Sequence, residues 1–380
     1  MKPYYRILVV CGGSHVAGLE IINLTLMRQL KENGHVVFCL LSGWNDGEFI
    51  TRLQEIDIAY KSVKLGNMYI SQPIWTLTSM LNFPKAVFKI KNLLKKYKPD
   101  IVILNDCRNF LYTGFLWKGF KLIYWEHNLP IPSFFNWLTY KTLYKKSSAI
   151  VACSDFIKSR LYALIKRNSK ILTIHNSVEV SDMGSLVRHS DWTESTRIGI
   201  VGQVIPRKGH LMLMEALAIL KNKNLNCAVY IYGNYQTEYA KEVQNFVKQH
   251  DLEQNVHWMG FVNDKNNIYG NLDIVVVPSI DEPFGLVALE PALWEIPVVA
   301  MRSGGLPEII EDKNTGLLFE PGNFRELSAQ LEQLSNSTDE RMKLGKQAKI
   351  RLFQSFLATQ MASRFIEIFD RLDIPKSIIK

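Results

Sequence analysis

The sequence predicts an α/β protein built of two doubly wound domains. Three observations lead there. Short apolar runs alternate with helical patterns from Ile7 onward. The alternation starts afresh at Arg197–Val201, after a polar break. The 380 residues are too many for one typical domain and suit two of roughly 150–190 residues each.

The chain opens with the strand Ile7–Val10, the turn CGGSHVAGLE and a helical pattern to about Asn33 that Gly34 closes. The strand VVFCLL follows, completing a βαβ start. The turn is rich in glycine, but its glycines are Gly12, Gly13 and Gly18, so G-x-G-x-x-G is absent. The second strand ends in Ser42-Gly43, with no acid for a ribose. A nicotinamide dinucleotide is therefore not the expected ligand.

The formal net charge is +9, unevenly spread. Residues 1–180 carry 24 lysines and arginines against 11 acids, a net of +13; residues 181–380 carry 21 against 25, a net of −4. From Ala59 to Pro99 no acid occurs. Within that stretch Phe83, Val87, Ile90, Leu93, Leu94 and Tyr97 recur at helical steps, which predicts an amphipathic helix with a lysine-rich outer face. Residues 134–148 combine Phe134, Phe135, Trp137, Tyr140 and Tyr144 with Lys141, Lys145 and Lys146. Both stretches read either as solvated faces over a core or as contacts for anionic lipid headgroups. Nucleic acid is not expected, because no stacking-sheet, zinc-knuckle or recognition-helix pattern accompanies the basic residues.

Five cysteines (Cys11, Cys39, Cys107, Cys153 and Cys227) are scattered without C-x-x-C spacing and read as buried free thiols. No secretory leader is visible and no apolar run approaches the ~18 residues of a membrane span. The expected location is the cytoplasm, with peripheral membrane contact through the basic half.

Further along, the strand KLIYW leads into Glu126-His127-Asn128, which places His127 at the carboxyl edge of a sheet. AIVACSDFIKSRL reads as strand, N-cap Ser154 and helix. Residues 180–195 are polar and aperiodic, and the linker is placed there. After Arg197–Val201, the loop GQVIPRKGH puts Arg207 and Lys208 just before a long amphipathic helix. Two cations beside a helix N-terminus make an anion site. The strand AVYIYG ends at Gly233, a helix is expected over about Glu238–Gln249, and VHWMGFV forms the next strand. Leu357–Leu372 reads as a last amphipathic helix.

The most informative stretch is Ser279–Ala300, SIDEPFGLVALEPALWEIPVVA. It follows the apolar strand Ile274–Val277 and predicts a loop, a short helix over about Leu286–Trp294 and a strand over Ile296–Ala300. Glu282 in the loop and Glu290 on the helix lie eight positions apart. Gly285 lets backbone amides come close to a ligand. Donors for a phosphate beside acceptors for hydroxyls suit a nucleotide sugar.

EPFGLVALE resembles the E-x7-E signature of retaining glycosyltransferases with the GT-B fold, in the large family four, or group 1, of these enzymes. The resemblance extends along nearly the whole chain, through the Gly12-Gly13 turn, Glu126-His127, SDFIK, PRKG, GG-x-PE at Gly304–Glu308 and TGLL. It implies two Rossmann-like domains facing across a cleft. Residues 1–182, with a C-terminal helix at about 357–380 crossing back, would bind the acceptor; residues 196–356 would bind the nucleotide sugar.

The activity implied is transfer of a sugar from a UDP- or GDP-sugar to an acceptor hydroxyl with retention, in polysaccharide or glycolipid biosynthesis. The acceptor would be a sugar or a lipid-linked molecule. By the same resemblance, Arg207 and Lys208 neutralise the diphosphate together with the amides of Phe284, Gly285 and Leu286. Glu290 takes the ribose hydroxyls, Glu282 the donor sugar, and His127 points at that sugar. Gly13, Gln203, Gly233 and Phe261 fall at donor-binding positions, and Leu317 and Leu318 wall the nucleotide pocket. No metal or other cofactor is expected. Gln203 departs from the pattern, standing where many members carry arginine, and leaves Arg207 as the replacement. Two alternatives stay open: a catalytically degenerate binding subunit on this fold, and a nucleotide-sugar epimerase.

Overall fold

The computed structural model describes residues 4–13, 16–44, 47–64, 73–107, 110, 113–179 and 195–372. Almost all of the expected linker, residues 180–194, lies outside the described residues, as do residues 373–380. The chain forms two compact units, 1–177 with 358–380, and 178–357.

The first unit is a seven-stranded parallel sheet. Its strands are β1 (Arg6–Cys11), β2 (Val36–Ser42), β3 (Ala59–Val63), β4 (Ile101–Leu104), β5 (Lys121–Glu126), β6 (Ala149–Ala152) and β7 (Ile171–Thr173). Their order is β3-β2-β1-β4-β5-β6-β7. The crossover helices are α1 (Gly18–Glu32), α2 (Glu48–Glu55), α3 (Pro73–Tyr97), α4 (Phe134–Lys146) and α5 (Asp155–Ile165). Strands such as β4 and β6 are buried along their whole length, which is why they read as continuous apolar runs rather than alternating ones.

The second unit has six parallel strands: β8 (Thr196–Val201), β9 (Cys227–Tyr232), β10 (Val256–Gly260), β11 (Ile274–Val277), β12 (Val298–Met301) and β13 (Leu317–Phe319). Their order is β10-β9-β8-β11-β12-β13. Helices α6 (His210–Asn222), α7 (Glu238–Gln249), α8 (Lys265–Tyr269), α9 (Leu286–Leu289), α10 (Leu306–Ile309), α11 (Phe324–Asn336) and α12 (Thr338–Ser355) surround it. In each unit the strand order reverses beside the first strand, between β1 and β4 and between β8 and β11. That switch point is where open α/β sheets present ligand sites at their carboxyl edge.

At the opposite, amino edge, each unit is closed by the same device. Arg6 donates its backbone N–H to Asp100 (2.8 Å) and pairs with it through the guanidinium (3.1 Å). Arg197 does the same to Asp273, at 2.9 and 3.0 Å. Each clamp ties the first strand of a unit to the strand across its switch point.

The last helix, α13 (Ala358–Arg371), belongs to the first unit. Phe365 and Phe369 are fully buried, the Phe365 ring lies 4.8 Å from that of Trp125, and Asp370 accepts a 2.7 Å hydrogen bond from Tyr5. Four of the five cysteines are buried and all are free thiols.

Two element boundaries differ from expectation. Helix α3 begins ten residues before Phe83 and runs through Pro84. The helix expected over Leu286–Trp294 is a single α-turn, α9, followed by a 3-10 segment at Glu290–Trp294. Pro291 has no N–H to donate to the carbonyl four residues back, so the α ladder stops there.

The two clamps differ in burial, and this sets a test. Arg197 and Asp273 side chains are 14% and 5% exposed, against 35% and 12% for Arg6 and Asp100. Asp273→Ala removes the carboxylate that takes both the backbone N–H and the guanidinium of the mostly buried Arg197 and is expected to cost about 3 kcal/mol or more. Asp100→Ala should cost about 1 kcal/mol, because solvent screens the more exposed pair. Urea unfolding of the two variants measures the difference; equal losses would refute it.

Candidate functional site

Three loops at the carboxyl edge of the second unit build the site. The first follows β8. Gly202 has φ +144°, a 3-10 turn carries Arg207 and Lys208, and Gly209 (φ +71°) starts α6. The second follows β11 and holds Glu282, Pro283, Phe284 and Gly285. The third follows β12 and holds Ser303, Gly304 and Gly305.

The loops touch through backbone. Ile280 N–H donates to the Arg207 carbonyl at 2.9 Å, and Gly305 N–H to the Glu282 carbonyl at 2.8 Å. Ser303 Oγ accepts from Asp281 N–H at 2.9 Å. A Cβ on Gly304, which has φ +62°, would stand 2.2 Å from the Glu282 carbonyl oxygen. Only glycine fits so close an approach.

This arrangement brings Arg207, Lys208 and Glu282 together. Glu282 is buried, and its Oε2 accepts from Lys208 Nζ at 2.9 Å and from Arg207 Nη1 at 3.2 Å. Two cations thus converge on one carboxylate oxygen and leave the cluster one positive charge in excess. Phe284 and Gly285 join it through the backbone: the Phe284 Cα is 3.0 Å from where a Cβ on Gly305 would stand, and Gly285 adopts φ +109°. Leu286 begins α9, but a single α-turn carries only a small dipole, less than the helix expected from the sequence. The longer helix beside the cations is α6, of 13 residues.

Glu290 sits apart from Glu282 with its own partners. Lys265 Nζ lies 3.0 Å from Oε1, and the buried Tyr269 hydroxyl donates to Oε2 at 2.8 Å. Burial and the Glu290 carboxylate both push the Tyr269 phenol above its ordinary range. Sequence reading missed Lys265 and Tyr269. The separations, 25 and 21 positions, match no local period, so no signal in the sequence marks them.

Gln203 is exposed, and Gly233 (φ +148°) faces the Gly202 carbonyl, 2.1 Å from where its Cβ would stand. Phe261 is exposed. Leu317 and Leu318, expected to wall a pocket, are buried in β13, and Leu317 belongs to the hydrophobic core.

In the first unit, a Cβ on Gly13 would meet the Glu20 carboxylate at 1.8 Å, so the turn after β1 closes over that side chain. His127 follows β5, buried against Trp125 with ring centroids 4.2 Å apart. Burial lowers its pKa to about 3, so the ring is neutral, and Nε2 has no hydrogen-bond partner among the described residues.

Its neighbour Glu126 is held from several sides. This carboxylate is fully buried and accepts hydrogen bonds from the Tyr140 hydroxyl, the Tyr124 hydroxyl (2.8 Å) and the Asn128 N–H (2.9 Å). The last of these ties it to the His127 loop. An acid ending an apolar strand must find such donors; that much was readable from KLIYWE, but not which donors.

Two sequence families match adjoining stretches of the chain and together take in most of it. Residues 188–351 match the family described as Glycosyl transferases group 1, and residues 16–182 match Glycosyltransferase Family 4. N-acetyl-alpha-D-glucosaminyl L-malate synthase of Bacillus anthracis is 23% identical over 379 residues, covering 94% of this chain and 93% of its own. The capsular polysaccharide biosynthesis glycosyltransferase CapM of Staphylococcus aureus is 27% identical over 159 residues, 42% of each chain.

The crystal structure of Anabaena HepE in complex with UDP and glucose superposes with a TM-score of 0.80 at 20% identity, over 96% of this chain and 99% of that one. A glycosyltransferase from Rickettsia africae gives 0.80 at 23%, over 97% and 98%. Both units together are therefore a GT-B fold, and the protein is a glycosyltransferase. The chain belongs to the group 1, or family four, glycosyltransferases.

Glu126 yields a pH test. Burial raises its pKa from 4.5 to about 7, against the lowering effect of its three hydrogen bonds, while the Asp106 carboxylate adds to the rise. The folded protein then holds this proton more tightly than the unfolded chain does between those values. Its contribution to stability is full below pH 4.5 and is lost as pH rises to about 7. Glu126→Gln cannot ionise. The urea midpoint of wild type relative to the variant is expected to fall across that window; a flat difference would contradict the assignment.

Proposed function

We propose that this glycosyltransferase moves a hexosyl group from a UDP-sugar to an acceptor hydroxyl with retention at the anomeric carbon, in polysaccharide or glycolipid synthesis. A GDP-sugar is the second choice of donor. The observation that carries the reading is the convergence of Arg207 and Lys208 on Glu282. A diphosphate brought to these cations takes the place of the carboxylate as their partner, which frees Glu282 for the hydroxyls of the donor sugar. The Anabaena protein of the same fold was crystallised with UDP and glucose, which supports the uridine donor.

The chemistry assigned to the chain is electrostatic. As the anomeric C–O bond breaks, charge grows on the leaving diphosphate. Lys208 and Arg207 stabilise it there more than in the ground state, which lowers the barrier. The acceptor oxygen attacks from the same face, and its proton passes to the leaving diphosphate oxygen. No protein nucleophile is required. Arg207 stands in for the arginine that Gln203 replaces, since its guanidinium reaches the carboxylate Lys208 holds. Glu290, oriented by Lys265 and Tyr269, takes the ribose hydroxyls. His127 is assigned to the donor sugar, its buried Nε2 having no hydrogen-bond partner among the described residues. The two-carboxylate scheme of glycosidases is not invoked, because the two glutamates hold separate partner sets. Nor is a metal, because the cations do the neutralising.

Thermal shift with UDP, GDP and ADP, followed by turnover of the matching sugar, tests the reading. UDP at 100 times its dissociation constant should add about 2.7 kcal/mol of stability, and Glu290→Ala should abolish that gain. Lys208→Ala is expected to lower turnover about 100- to 1000-fold, as for loss of one donor to a developing charge. His127→Ala should lower turnover with the UDP shift unchanged. The product's anomeric configuration, read by NMR, should match the donor's. Inversion would overturn the mechanism, and a UDP shift without transfer would favour the degenerate binder that Gln203 suggests. Turnover of the donor without any acceptor would favour an epimerase.

A further inference from the structure

Helix α3 has two faces, and neither carries a residue assigned above to the transfer reaction. Ser79, Ala86, Ile90, Leu93 and Leu94 are buried and turn one face to the core. On the other face Leu77, Leu81, Pro84 and Phe88 follow at steps of four, three and four and form one stripe. Leu77 is 60%, Leu81 71% and Phe88 66% exposed. At 3.6 residues per turn, Lys85, Lys89 and Lys96 border the stripe on one side, Lys91 and the exposed Met80 border it on the other, and Lys95 continues it.

The patch extends beyond the helix. Phe115 is exposed, with its ring 6.4 Å from that of Phe83. A groove of about 380 Å³ opens beside it, lined by Lys91, Leu94, Lys95, Phe115, Leu116 and Phe120. Its walls are mostly apolar, with two lysines among them.

We propose that this face docks the protein on an anionic lipid bilayer. A ridge of leucine and phenylalanine gains by leaving water for the boundary between headgroups and acyl chains. Lysines on both flanks then meet the anionic headgroups, each strengthening binding about fivefold. The complementarity is of both kinds at once, and this decides among occupants. A second copy packed across the stripe would set lysine rows against lysine rows, which opposes association. A nucleic acid backbone answers the lysines but gives the exposed Leu81 and Phe88 nothing to enter. No residue from Ala59 to Pro99 is acidic, so nothing on the chain's own stretch repels an anionic surface. The docking is a property of the first unit and stands whether or not the proposed donor is correct. No described helix is long and apolar enough to cross a membrane, so the contact is interfacial.

Co-sedimentation of the full chain with phosphatidylcholine vesicles, and with mixed phosphatidylcholine–phosphatidylglycerol vesicles, tests this. Two variants go beside wild type: Leu81→Asp with Phe88→Asp, and Lys85→Glu with Lys89→Glu and Lys91→Glu. All these side chains are exposed, so wild-type thermal midpoints are expected and confirm folding. Wild type should bind the mixed vesicles at least tenfold more tightly than the neutral ones, and the binding should weaken as salt shortens the Debye length from about 10 Å at 0.1 M to 3 Å at 1 M. The apolar double variant should lose at least tenfold, and the lysine triple variant about a hundredfold. Absence of binding to mixed vesicles at low salt would overturn the proposal, as would binding that neither variant changes. So would light scattering that shows a dimer which the apolar variant dissolves, with vesicles left unbound.

Discussion

A Cβ on Gly304 would stand 2.2 Å from the Glu282 carbonyl oxygen, and one on Gly209 would stand 2.2 Å from that of Pro278. The candidate site depends on these two close backbone approaches. They let the loops after β8, β11 and β12 lie against one another with no side chain between, held by the Ile280–Arg207 and Gly305–Glu282 backbone bonds. The result is a single body formed from segments some 75 residues apart. Arg207 and Lys208 find Glu282 because the backbones beneath them are already in contact. A site prepared in this way needs little reorganisation when charge develops on a ligand.

The ion pairs at the edges of the two sheets differ in kind, and their places in the sheets separate them. The Arg6–Asp100 and Arg197–Asp273 clamps lie where the central strands begin, each arginine using its backbone N–H as well as its guanidinium. Each pair satisfies itself and serves the fold. The Glu282 cluster lies where the central strands end and is unbalanced, with two cations on one oxygen. Glu290 is different again, its two oxygens taken by one lysine and one buried tyrosine. An unbalanced cluster at the carboxyl edge of a parallel sheet is what an anionic ligand requires; a balanced clamp at the other edge is what a stable strand pair requires.

The two basic, aromatic stretches of the first unit look alike as sequence and are not alike in structure. In α4, Tyr140 and Tyr144 are buried. Tyr140 helps hold Glu126, and Tyr144 shares a 2.7 Å hydrogen bond with Ser169. Phe134 and Phe135 remain exposed at the start of that helix, while Lys141 lies over the Trp137 ring at 4.3 Å. In α3 the apolar residues divide between core and water instead, and the lysines flank the watery side. Composition shows that both stretches mix aromatics and lysines. Only packing says which aromatics are already spoken for.

By itself the sequence determined the α/β class, the two rounds of strand and helix, and the strand over Ile274–Val277, because burial on both faces writes a parallel strand as a continuous apolar run. It also determined which loops carry glycine and charge, since a positive φ or a close approach demands one residue type at one position. Tertiary structure decided the rest. It shortened the helix after Gly285 at Pro291, placed Leu317 and Leu318 in the interior, and left Phe261 in solvent. It set Lys265 and Tyr269 on Glu290, and Tyr124 and Tyr140 on Glu126. The physical reason is one of range. Periodicity and turn chemistry act over a few residues and leave their mark in the local order of the chain. A hydrogen bond to a buried carboxylate depends on which segments the strand order makes neighbours, and no local spacing records that.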